Sequence, residues 1–220
     1  MVRVLKVLFF AFIVKPIVFF ALGLNVFFKD KLPKSGPAIL VANHNSHLDT
    51  LVLMSLYPLG QIHKIRPVAA ADYFLTNKFV AWFSLNIIGI IPIRRGKISD
   101  KNSLFSACHR ALDNGDILIL FPEGSRGEPE QLSVLKRGIH HLIKTRPSVK
   151  VVPVMMHGLG RALPKGEALL VPFNCDVVVG DSIDFIDDGK RYIQHISERL
   201  NRLLALCMTR QIIVKDDDQY

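Results

Sequence analysis

Cysteine is scarce in this chain of 220 residues. The three cysteines, Cys108, Cys175 and Cys207, are odd in number and far apart, and no C-x-x-C pair occurs. We therefore expect neither a disulfide framework nor a cysteine-based zinc site, and a reducing compartment is the natural environment. The G-x-S-x-G nucleophile elbow, the Walker A loop and the G-x-G-x-x-G dinucleotide loop are also absent, which disfavours three large enzyme classes.

Acidic residues are outnumbered by basic ones. The chain has 28 lysines and arginines against 19 aspartates and glutamates, so its formal net charge is +9 at pH 7. Such a surface suits a polyanion, which can be nucleic acid, anionic lipid or a phosphorylated substrate. There is no basic, aromatic-studded arm of low complexity, and half of the residues are hydrophobic with a mean hydropathy of +0.29. These features favour lipid over nucleic acid as the partner.

No internal repeat or interdomain linker interrupts the sequence, and its length suits one domain with a sizeable core. Strand patterns occur at residues 38–42, 67–71, 87–93, 117–121, 149–156 and 177–179, and helical patterns at 46–57, 73–85, 99–112, 135–145 and 190–208. This alternation predicts an α/β fold, a single domain with a mixed, largely parallel sheet covered by helices. We expect that domain at residues 31–212, between a hydrophobic segment, 1–30, and an acidic tail, 213–220.

The N-terminal segment is strongly apolar. Between residues 7 and 28, 18 of 22 residues are apolar, and Lys15 and Pro16 split the stretch into two shorter halves. A transmembrane helix needs about 20 continuous apolar residues. Proline often marks a helix boundary, and lysine can extend towards a headgroup layer. We predict two short helices that anchor the protein in one leaflet; a single tilted span and a cleaved signal peptide are the alternatives.

Basic residues flank the apolar pieces at Arg3, Lys6, Lys15, Lys29, Lys31 and Lys34. Positive charge beside apolar segments is typical of the cytoplasmic, anionic face of a membrane. We therefore expect a membrane-associated protein on the cytoplasmic face, which is the inner membrane if the source is bacterial.

A histidine and an aspartate follow the first predicted strand, where α/β proteins place active sites. Four residues separate His44 from Asp49. A neutral imidazole can take a proton from an alcohol near pH 7, and a carboxylate on its other nitrogen fixes the tautomer and stabilises the imidazolium. Two other interpretations stay open. Ser46 and Asp49 fit a helix capping box, and His44, His47 and Asp49 are possible metal ligands, although their spacing matches no common metal motif.

Two arginines follow the strand pattern at residues 87–93. Arg94 and Arg95 can hold a phosphate through paired hydrogen bonds. A solvated basic turn is the equally simple alternative.

A tight, charged turn follows the strand pattern at residues 117–121. Pro122 and Gly124 fix this turn, which presents Glu123 and Arg126 and offers backbone N–H groups to an anion. An ordinary surface turn is the alternative. Without a nucleophile elbow, Ser125 is a weak candidate for a covalent nucleophile.

Together these segments resemble the motif blocks of the glycerolipid acyltransferase family, typified by 1-acylglycerol-3-phosphate acyltransferases. The N-H-x-x-x-x-D block corresponds to residues 43–49, and F-P-E-G-[ST]-R is matched in full by residues 121–126. A block similar to G-x-I-x-I-D-R occupies residues 89–95, with Arg94 where the family often has aspartate, and V-P-V occupies residues 152–154. The blocks occur in the family's order behind a hydrophobic N-terminus.

The resemblance implies an O-acyltransferase. Such an enzyme moves an acyl chain from acyl-CoA or acyl carrier protein to a lysophospholipid hydroxyl, most simply from 1-acylglycerol-3-phosphate to phosphatidic acid. It implies that His44 is the general base and that Asp49 orients it. The expected acceptor-binding residues are Arg95, Glu123, Gly124, Ser125, Arg126 and Lys136. No metal and no cofactor is expected beyond the thioester co-substrate, and the partners are the bilayer and the lysolipid rather than nucleic acid.

Two rival functions stay open. Arg94 in place of the aspartate leaves room for another acceptor, such as a lyso-ornithine lipid, lysophosphatidylglycerol or glycerol 3-phosphate. A non-catalytic protein that binds anionic membranes is the rival from a different class. It explains the apolar N-terminus and the positive charge, but it does not explain a turn carrying Glu123 beside an intact His44 and Asp49 pair.

Overall fold

The computed structural model describes residues 1–74, 77–93, 101–127, 131–162 and 174–210. Within these ranges seven strands form one sheet, namely β1 (Gly23–Phe27), β2 (Ala38–Ala42), β3 (Ile65–Ala70), β4 (Ile91–Ile93), β5 (Ile117–Leu120), β6 (Lys150–His157) and β7 (Asn174–Val179). The order across the sheet is β1-β7-β6-β2-β5-β3-β4, and β6 with β7 is the antiparallel pair. The predicted α/β domain with a mixed, largely parallel sheet is confirmed.

Helices cover both faces of the sheet. They are α1 (Val2–Phe9), α2 (Asp49–Ser55), α3 (Ala71–Phe74), α4 (Lys78–Phe83), α5 (Lys101–Asp113), α6 (Gly138–Ile143), α7 (Leu159–Ala162) and α8 (Gly189–Leu204). Successive strand residues point to opposite faces. Ala38 and Leu40 of β2 therefore join a core with α2 and the N-terminal helical segment, while Ile39 and Val41 join a second core with α5, α6 and α8.

The predicted strand at residues 87–93 is too long. Only Ile91–Ile93 forms β4, and Ser84–Ile88 is a π-helical segment that ends at Gly89, whose φ is +80°. A short apolar run does not reveal by its periodicity whether it is a buried helix or a buried strand. The predicted helix start at residue 99 and the acidic tail at 213–220 lie outside the described residues.

The N-terminal segment does not break at its proline. Two π-helical segments, Phe10–Val14 and Ile17–Ala21, follow α1, and both Lys15 and Pro16 between them keep right-handed helical dihedral angles. A proline ring clashes with the carbonyl four residues earlier in an α-helix, and the wider π-helical turns remove that conflict. The predicted separation into two helices at this point is therefore wrong.

One side of this segment packs on the sheet and the other is apolar and exposed. Every fourth residue from position 6 to position 22 is buried, and the exposed side carries Val4, Leu5, Leu8, Phe12, Ile13, Ile17, Phe19 and Phe20. Among the described residues, no helix combines the length and the apolar character that crossing a bilayer requires. The predicted membrane anchoring stays a prediction.

The predicted helical segment ends before residue 30. Residues 23–27 form β1, an edge strand that pairs in parallel with β7 from Gly23 opposite Asn174 to Phe27 opposite Val178. The apolar run therefore contributes both helix and sheet. The composition of the run did not reveal the change from helix to strand, because a strand at a sheet edge and a lipid-facing helix are both rich in valine, leucine and phenylalanine.

Two of the flanking lysines point inwards. Lys6 is 4% exposed and its Nζ donates to the Ile88 carbonyl at 2.8 Å, while Lys15 Nζ donates to the Tyr57 carbonyl at 3.0 Å. The expectation that these two lysines face an anionic membrane surface is wrong. Both amines instead satisfy backbone carbonyls beneath the helical segment.

The burial of Lys6 predicts a pH-dependent stability. Burial, helped by the nearby Arg66 charge, lowers the pKa of Lys6 from 10.5 to about 8. Between about 8 and 10.5 the unfolded chain binds more protons than the folded one, so the stability of the wild type rises with pH in that window. We expect the difference in free energy of unfolding between wild type and Lys6→Met to rise by about 3 kcal/mol from pH 7 to pH 11.

Denaturant unfolding at several pH values measures this difference. Lys150→Met is the matched control, because Lys150 is an exposed lysine at the start of β6. We expect the difference in free energy of unfolding between wild type and variant to rise with pH for Lys6→Met and to stay constant for Lys150→Met. A difference that stays constant with pH for both variants would contradict the burial of the Lys6 amine.

Candidate active site

His44 and Asp49 form a hydrogen-bonded pair just beyond β2. His44 Nδ1 lies 2.9 Å from Asp49 Oδ2, and Asp49 is only 1% exposed. The same oxygen accepts the backbone N–H groups of Asn45 at 2.7 Å and Ser46 at 2.9 Å. A carboxylate only accepts, so this bond places a proton on Nδ1 and makes Nε2 the basic nitrogen.

The capping and catalytic interpretations of Asp49 therefore coincide in one oxygen atom. The carboxylate satisfies the turn before α2 and also orients the imidazole. The bond that the capping box predicts, from the Ser46 N–H to Asp49, is present. The predicted helix start is too early, because α2 begins at Asp49 and its N-cap residue is Leu48. Ser46 Oγ instead accepts the Leu48 N–H at 3.3 Å within the turn.

The loop after β5 holds His44 from three sides. The imidazole stacks on the Phe121 ring, with centroids 4.1 Å apart and an interplanar angle of 17°. The His44 N–H donates to Glu123 Oε1 at 2.7 Å, and the His44 carbonyl accepts the Gly127 N–H at 3.0 Å. Because β2 and β5 are neighbours in the sheet, the motif blocks at their carboxyl ends meet directly.

The Glu123 side chain fixes the backbone of the site through two hydrogen bonds. Its side chain is buried at 3% exposure, and while Oε1 accepts from His44, Oε2 accepts the Ser133 N–H at 3.0 Å. Glu123 is not among the residues that line the neighbouring cavity. The structure thus places this predicted acceptor-binding residue where it fixes the backbone of His44 and of the following loop.

Gly124 gives the turn its shape. Its φ is +74°, which favours glycine, and a Cβ there would lie 2.8 Å from Lys136 Nζ. The Lys136 N–H donates to the Pro122 carbonyl at 2.8 Å, which ties the later loop to the turn. The missing side chain therefore lets the Lys136 ammonium approach the turn that carries Ser125 and Arg126.

His47 contacts Arg126 across the site. The Arg126 guanidinium donates to His47 Nε2. Burial, followed by the Arg126 and His44 charges, lowers the pKa of His47, so this imidazole is a neutral acceptor near pH 7. A guanidinium at this nitrogen disfavours a metal ion there, which weakens the interpretation of His44, His47 and Asp49 as a ligand set.

A cavity of about 700 Å³ opens beside His44 at the carboxyl ends of β2, β3, β4 and β5. Its polar lining consists of His44, His47, Thr50, Asp72, Ser84, Ser125, Arg126 and Lys136. Its apolar lining is larger and includes Leu51, Val68, Phe83, Ile88, Ile90, Ile93, Phe105, Leu120, Phe121 and Ile139. The volume lies within the usual range for small-molecule sites. A cavity with this lining suits a molecule that has one charged end and a long apolar part.

Five of the predicted site residues meet at this cavity: His44, Gly124, Ser125, Arg126 and Lys136. Asp49 hydrogen-bonds the His44 imidazole, and Glu123 hydrogen-bonds the His44 backbone N–H. Arg95 and its neighbour Arg94 fall outside the described residues. Their predicted roles stay predictions, although β4, which precedes them, ends at the cavity with Ile93.

Some residues of the site were missed. The Asn43 side chain donates to the Met156 carbonyl and accepts the Met156 N–H, both at 2.7 Å, and so joins the end of β2 to β6. An asparagine directly after a buried strand was the available signal. Phe83, Ser84 and Ile88 carry no comparable signal, because only the fold brings this π-helical region to the cavity.

This fold and site define a class of α/β protein in which a histidine–carboxylate pair at the strand ends faces a largely apolar cavity. The family model Acyltransferase matches residues 23–157 of the chain. The chain belongs to this family, and the resemblance to glycerolipid acyltransferases is confirmed.

The chain is similar to proteins from Brassica napus, humans and Dictyostelium discoideum. A chloroplastic 1-acyl-sn-glycerol-3-phosphate acyltransferase of Brassica napus is 28% identical over 179 residues, which are 78% of this chain and 49% of that protein. The human 1-acyl-sn-glycerol-3-phosphate acyltransferase alpha is 29% identical over 148 residues, covering 67% and 50% respectively. The protein named Taffazin of Dictyostelium discoideum is 31% identical over 173 residues, covering 70% and 60%. The chain thus spans about half the length of the first of these relatives.

One solved structure supports the fold. The crystal structure of the 1-acyl-sn-glycerophosphate acyltransferase PlsC from Thermotoga maritima superposes with a TM-score of 0.67 at 18% sequence identity. The match covers 90% of this chain and 82% of that one. At this identity the likeness concerns the architecture of the domain.

Proposed function

We propose that this protein transfers an acyl chain from an acyl thioester to the free hydroxyl of 1-acylglycerol-3-phosphate and so makes phosphatidic acid. The observation that carries the proposal is the His44–Asp49 pair, held rigidly at the edge of an apolar cavity that also contains Arg126 and Lys136. The names of the relatives from Brassica napus and from humans support the same acceptor.

The reaction needs one base and no covalent enzyme intermediate. His44 Nε2 takes the proton of the acceptor hydroxyl while that oxygen attacks the thioester carbonyl carbon. Asp49 holds the imidazole by its other nitrogen and stabilises the imidazolium. The tetrahedral intermediate then expels the thiolate, which takes up the proton from His44. A new ester bond replaces the thioester bond, and the base returns to its starting form.

Binding divides between charge and apolar surface. In this proposal Arg95, Arg126 and Lys136 hold the acceptor phosphate, with Gly124 and Ser125 beside them in the turn. The apolar lining, which includes Phe83 and Ile90, takes hydrocarbon. Glu123 acts indirectly, through the backbone of His44. The donor is acyl-CoA or acyl carrier protein, and no metal or cofactor takes part.

Membrane association completes the proposal. The exposed apolar side of the N-terminal segment rests on the cytoplasmic face of a bilayer, from which the acceptor comes and where the product stays. The remaining positive charge of the surface favours anionic lipid.

An acyl-transfer assay followed by mass spectrometry tests the function. Purified protein is offered acyl-CoA and acyl-carrier-protein donors against a panel of lysolipids. Phosphatidic acid formed from lysophosphatidic acid is the expected product. Product from another lysolipid alone would keep the chemistry and replace the acceptor, whereas no product from any pair would overturn the proposal in favour of a lipid-binding protein.

Lys136→Ala is expected to raise KM for lysophosphatidic acid about tenfold or more while kcat falls little, because the ammonium contacts the phosphate in both the ground state and the transition state. Lys150→Ala removes an exposed lysine at the amino end of β6, whereas the cavity lies at the carboxyl ends of the parallel strands, and it should change neither constant. Steady-state kinetics with vesicles of fixed composition separate the two parameters. A lower kcat with unchanged acceptor KM would contradict phosphate binding by Lys136.

A further inference from the structure

Helix α4 and the π-helical segment Ser84–Ile88 after it expose a group of large apolar side chains. Phe79 is 74% exposed and Trp82 is 46% exposed, and Val80 and Leu85 are exposed beside them. Ser84 and Ile87 in the same stretch are buried. Single exposed apolar residues are normal in soluble proteins, but a contiguous group marks a surface that contacts protein or lipid.

This group continues the exposed side of α1. The Phe9 ring packs edge-to-face on the Phe83 ring, with centroids 5.2 Å apart, so α1 and α4 lie against each other. Leu5 and Leu8 of α1 are exposed on the N-terminal side of this contact, as is Phe12 of the following π-helical segment. We call the combined area the apolar platform; it consists of Leu5, Leu8, Phe12, Phe79, Val80, Trp82 and Leu85.

The stretch at residues 82–88 lies between the apolar platform and the cavity. Phe83, Ser84 and Ile88 line the cavity, while Trp82 and Leu85, which alternate with them along the chain, are exposed. If a bilayer lies against the platform, only this helical stretch separates the lipid from the cavity. Lys78, exposed at the start of α4, adds a positive charge at the rim.

We propose that α4 is a second membrane-inserting element, which enters the interfacial layer of an anionic bilayer beside α1 and brings the cavity to the lipid. The occupant is lipid because the platform is continuous with the N-terminal apolar side, because the chain carries a net charge of +9, and because the cavity wall itself belongs to the platform. The link to lysolipid uptake rests on the proposed function; insertion of α4 does not.

The chain carries its own probe, since Trp82 is its single tryptophan. Wild-type protein without acyl donor is mixed with vesicles of phosphatidylglycerol and phosphatidylcholine, some with bromine atoms at defined acyl positions. We expect the Trp82 emission to shift to shorter wavelength, with the strongest quenching by bromines near the headgroup end of the chain, because interfacial helices sit about 5–10 Å deep. No turnover is needed, so a failed acyltransferase assay leaves this result unaffected.

Two outcomes would overturn the proposal. Protein that sediments with the vesicles while Trp82 is neither shifted nor quenched would show that α4 stays in water. A shift that depends on protein concentration and occurs without vesicles would assign the platform to a second copy of the chain.

A pair of variants separates docking from folding. Phe79→Ser is expected to weaken binding to the anionic vesicles about tenfold, whereas Leu206→Ser, which changes an exposed apolar residue just after α8, should bind as wild type does. On a short-chain acceptor dissolved below its micelle concentration, Phe79→Ser should keep the wild-type kcat. Equal vesicle binding by the two variants, or a loss of activity on the dissolved acceptor, would contradict a docking role for Phe79.

Discussion

His44→Ala is expected to lower kcat for acyl transfer by about 10²–10⁴-fold, the range that a positioned general base supplies. The fold should persist, because the His44 backbone keeps its bonds to Glu123 and Gly127. The imidazole is lost with its stacking on Phe121 and its bond to Asp49, whose Oδ2 keeps two backbone N–H donors. Binding to anionic vesicles should also persist, since His44 is not part of the apolar platform.

The measurement is single-turnover acyl transfer together with thermal unfolding and vesicle binding. His195→Ala is the control, because His195 lies on α8 and does not line the cavity. More than a few per cent of wild-type activity in His44→Ala would remove the general-base assignment. A folded, lipid-binding but inactive variant would separate the enzyme from the non-catalytic membrane binder.

Asp49→Ala is expected to lower kcat to a similar extent and to destabilise the protein as well. Removal of the carboxylate leaves the His44 Nδ1–H and two buried backbone N–H groups, those of Asn45 and Ser46, without their acceptor. Each unsatisfied buried donor costs about 1–3 kcal/mol. Thermal and denaturant unfolding measure the loss of stability, and single-turnover transfer measures the loss of rate.

Asp49→Asn separates the two roles of this side chain. An amide oxygen in the place of Oδ2 can keep all three hydrogen bonds, and the amide nitrogen then occupies the place of Oδ1, which has no hydrogen-bond partner among the described residues. Asp49→Asn should therefore be destabilised less than Asp49→Ala, since only its amide N–H groups lack an acceptor among the described residues. It should still lose rate, because the negative charge that stabilises the imidazolium is gone. Full activity in Asp49→Asn would leave Asp49 a helix cap alone.

The double variant tests whether the pair acts as a unit. If Asp49 works through His44, His44→Ala with Asp49→Ala should be no slower than His44→Ala by itself. Multiplied losses would indicate that Asp49 contributes to the reaction independently of the histidine.

The interior strands were predictable from sequence because each is a short apolar run that ends in a turn residue. Residues 38–42, for example, coincide with β2, and residues 117–121 contain β5. Prediction failed where one apolar composition suits two structures. Residues 23–27 form an edge strand instead of more helix. Residues 87 and 88, predicted as the start of a strand, belong to a π-helical segment, because tertiary packing decides between these states.

The positions of the site residues were predictable from the sequence, but the contacts and roles of the individual side chains were not. The motifs placed His44 and the turn at residues 121–126 at strand ends, and the structure shows that these two strands are neighbours. A motif does not reveal which way a side chain points. Glu123 looks like a ligand for the acceptor in the sequence, yet both of its oxygens accept backbone N–H groups. Lys6 and Lys15 look like surface cations, yet both reach inwards to carbonyl oxygens.

Strand β1 makes the N-terminal segment inseparable from the rest of the protein. The helical side facing the sheet belongs to the same core as α2, and β1 extends the sheet next to β7. Removal of residues 1–27 would therefore strip an edge strand and part of a core from the domain. A bilayer that binds this segment more tightly in the folded protein than in the unfolded chain would act thermodynamically as a ligand of the native state. If the proposed membrane association holds, added lipid should raise the stability of the whole fold and not only that of the N-terminal segment.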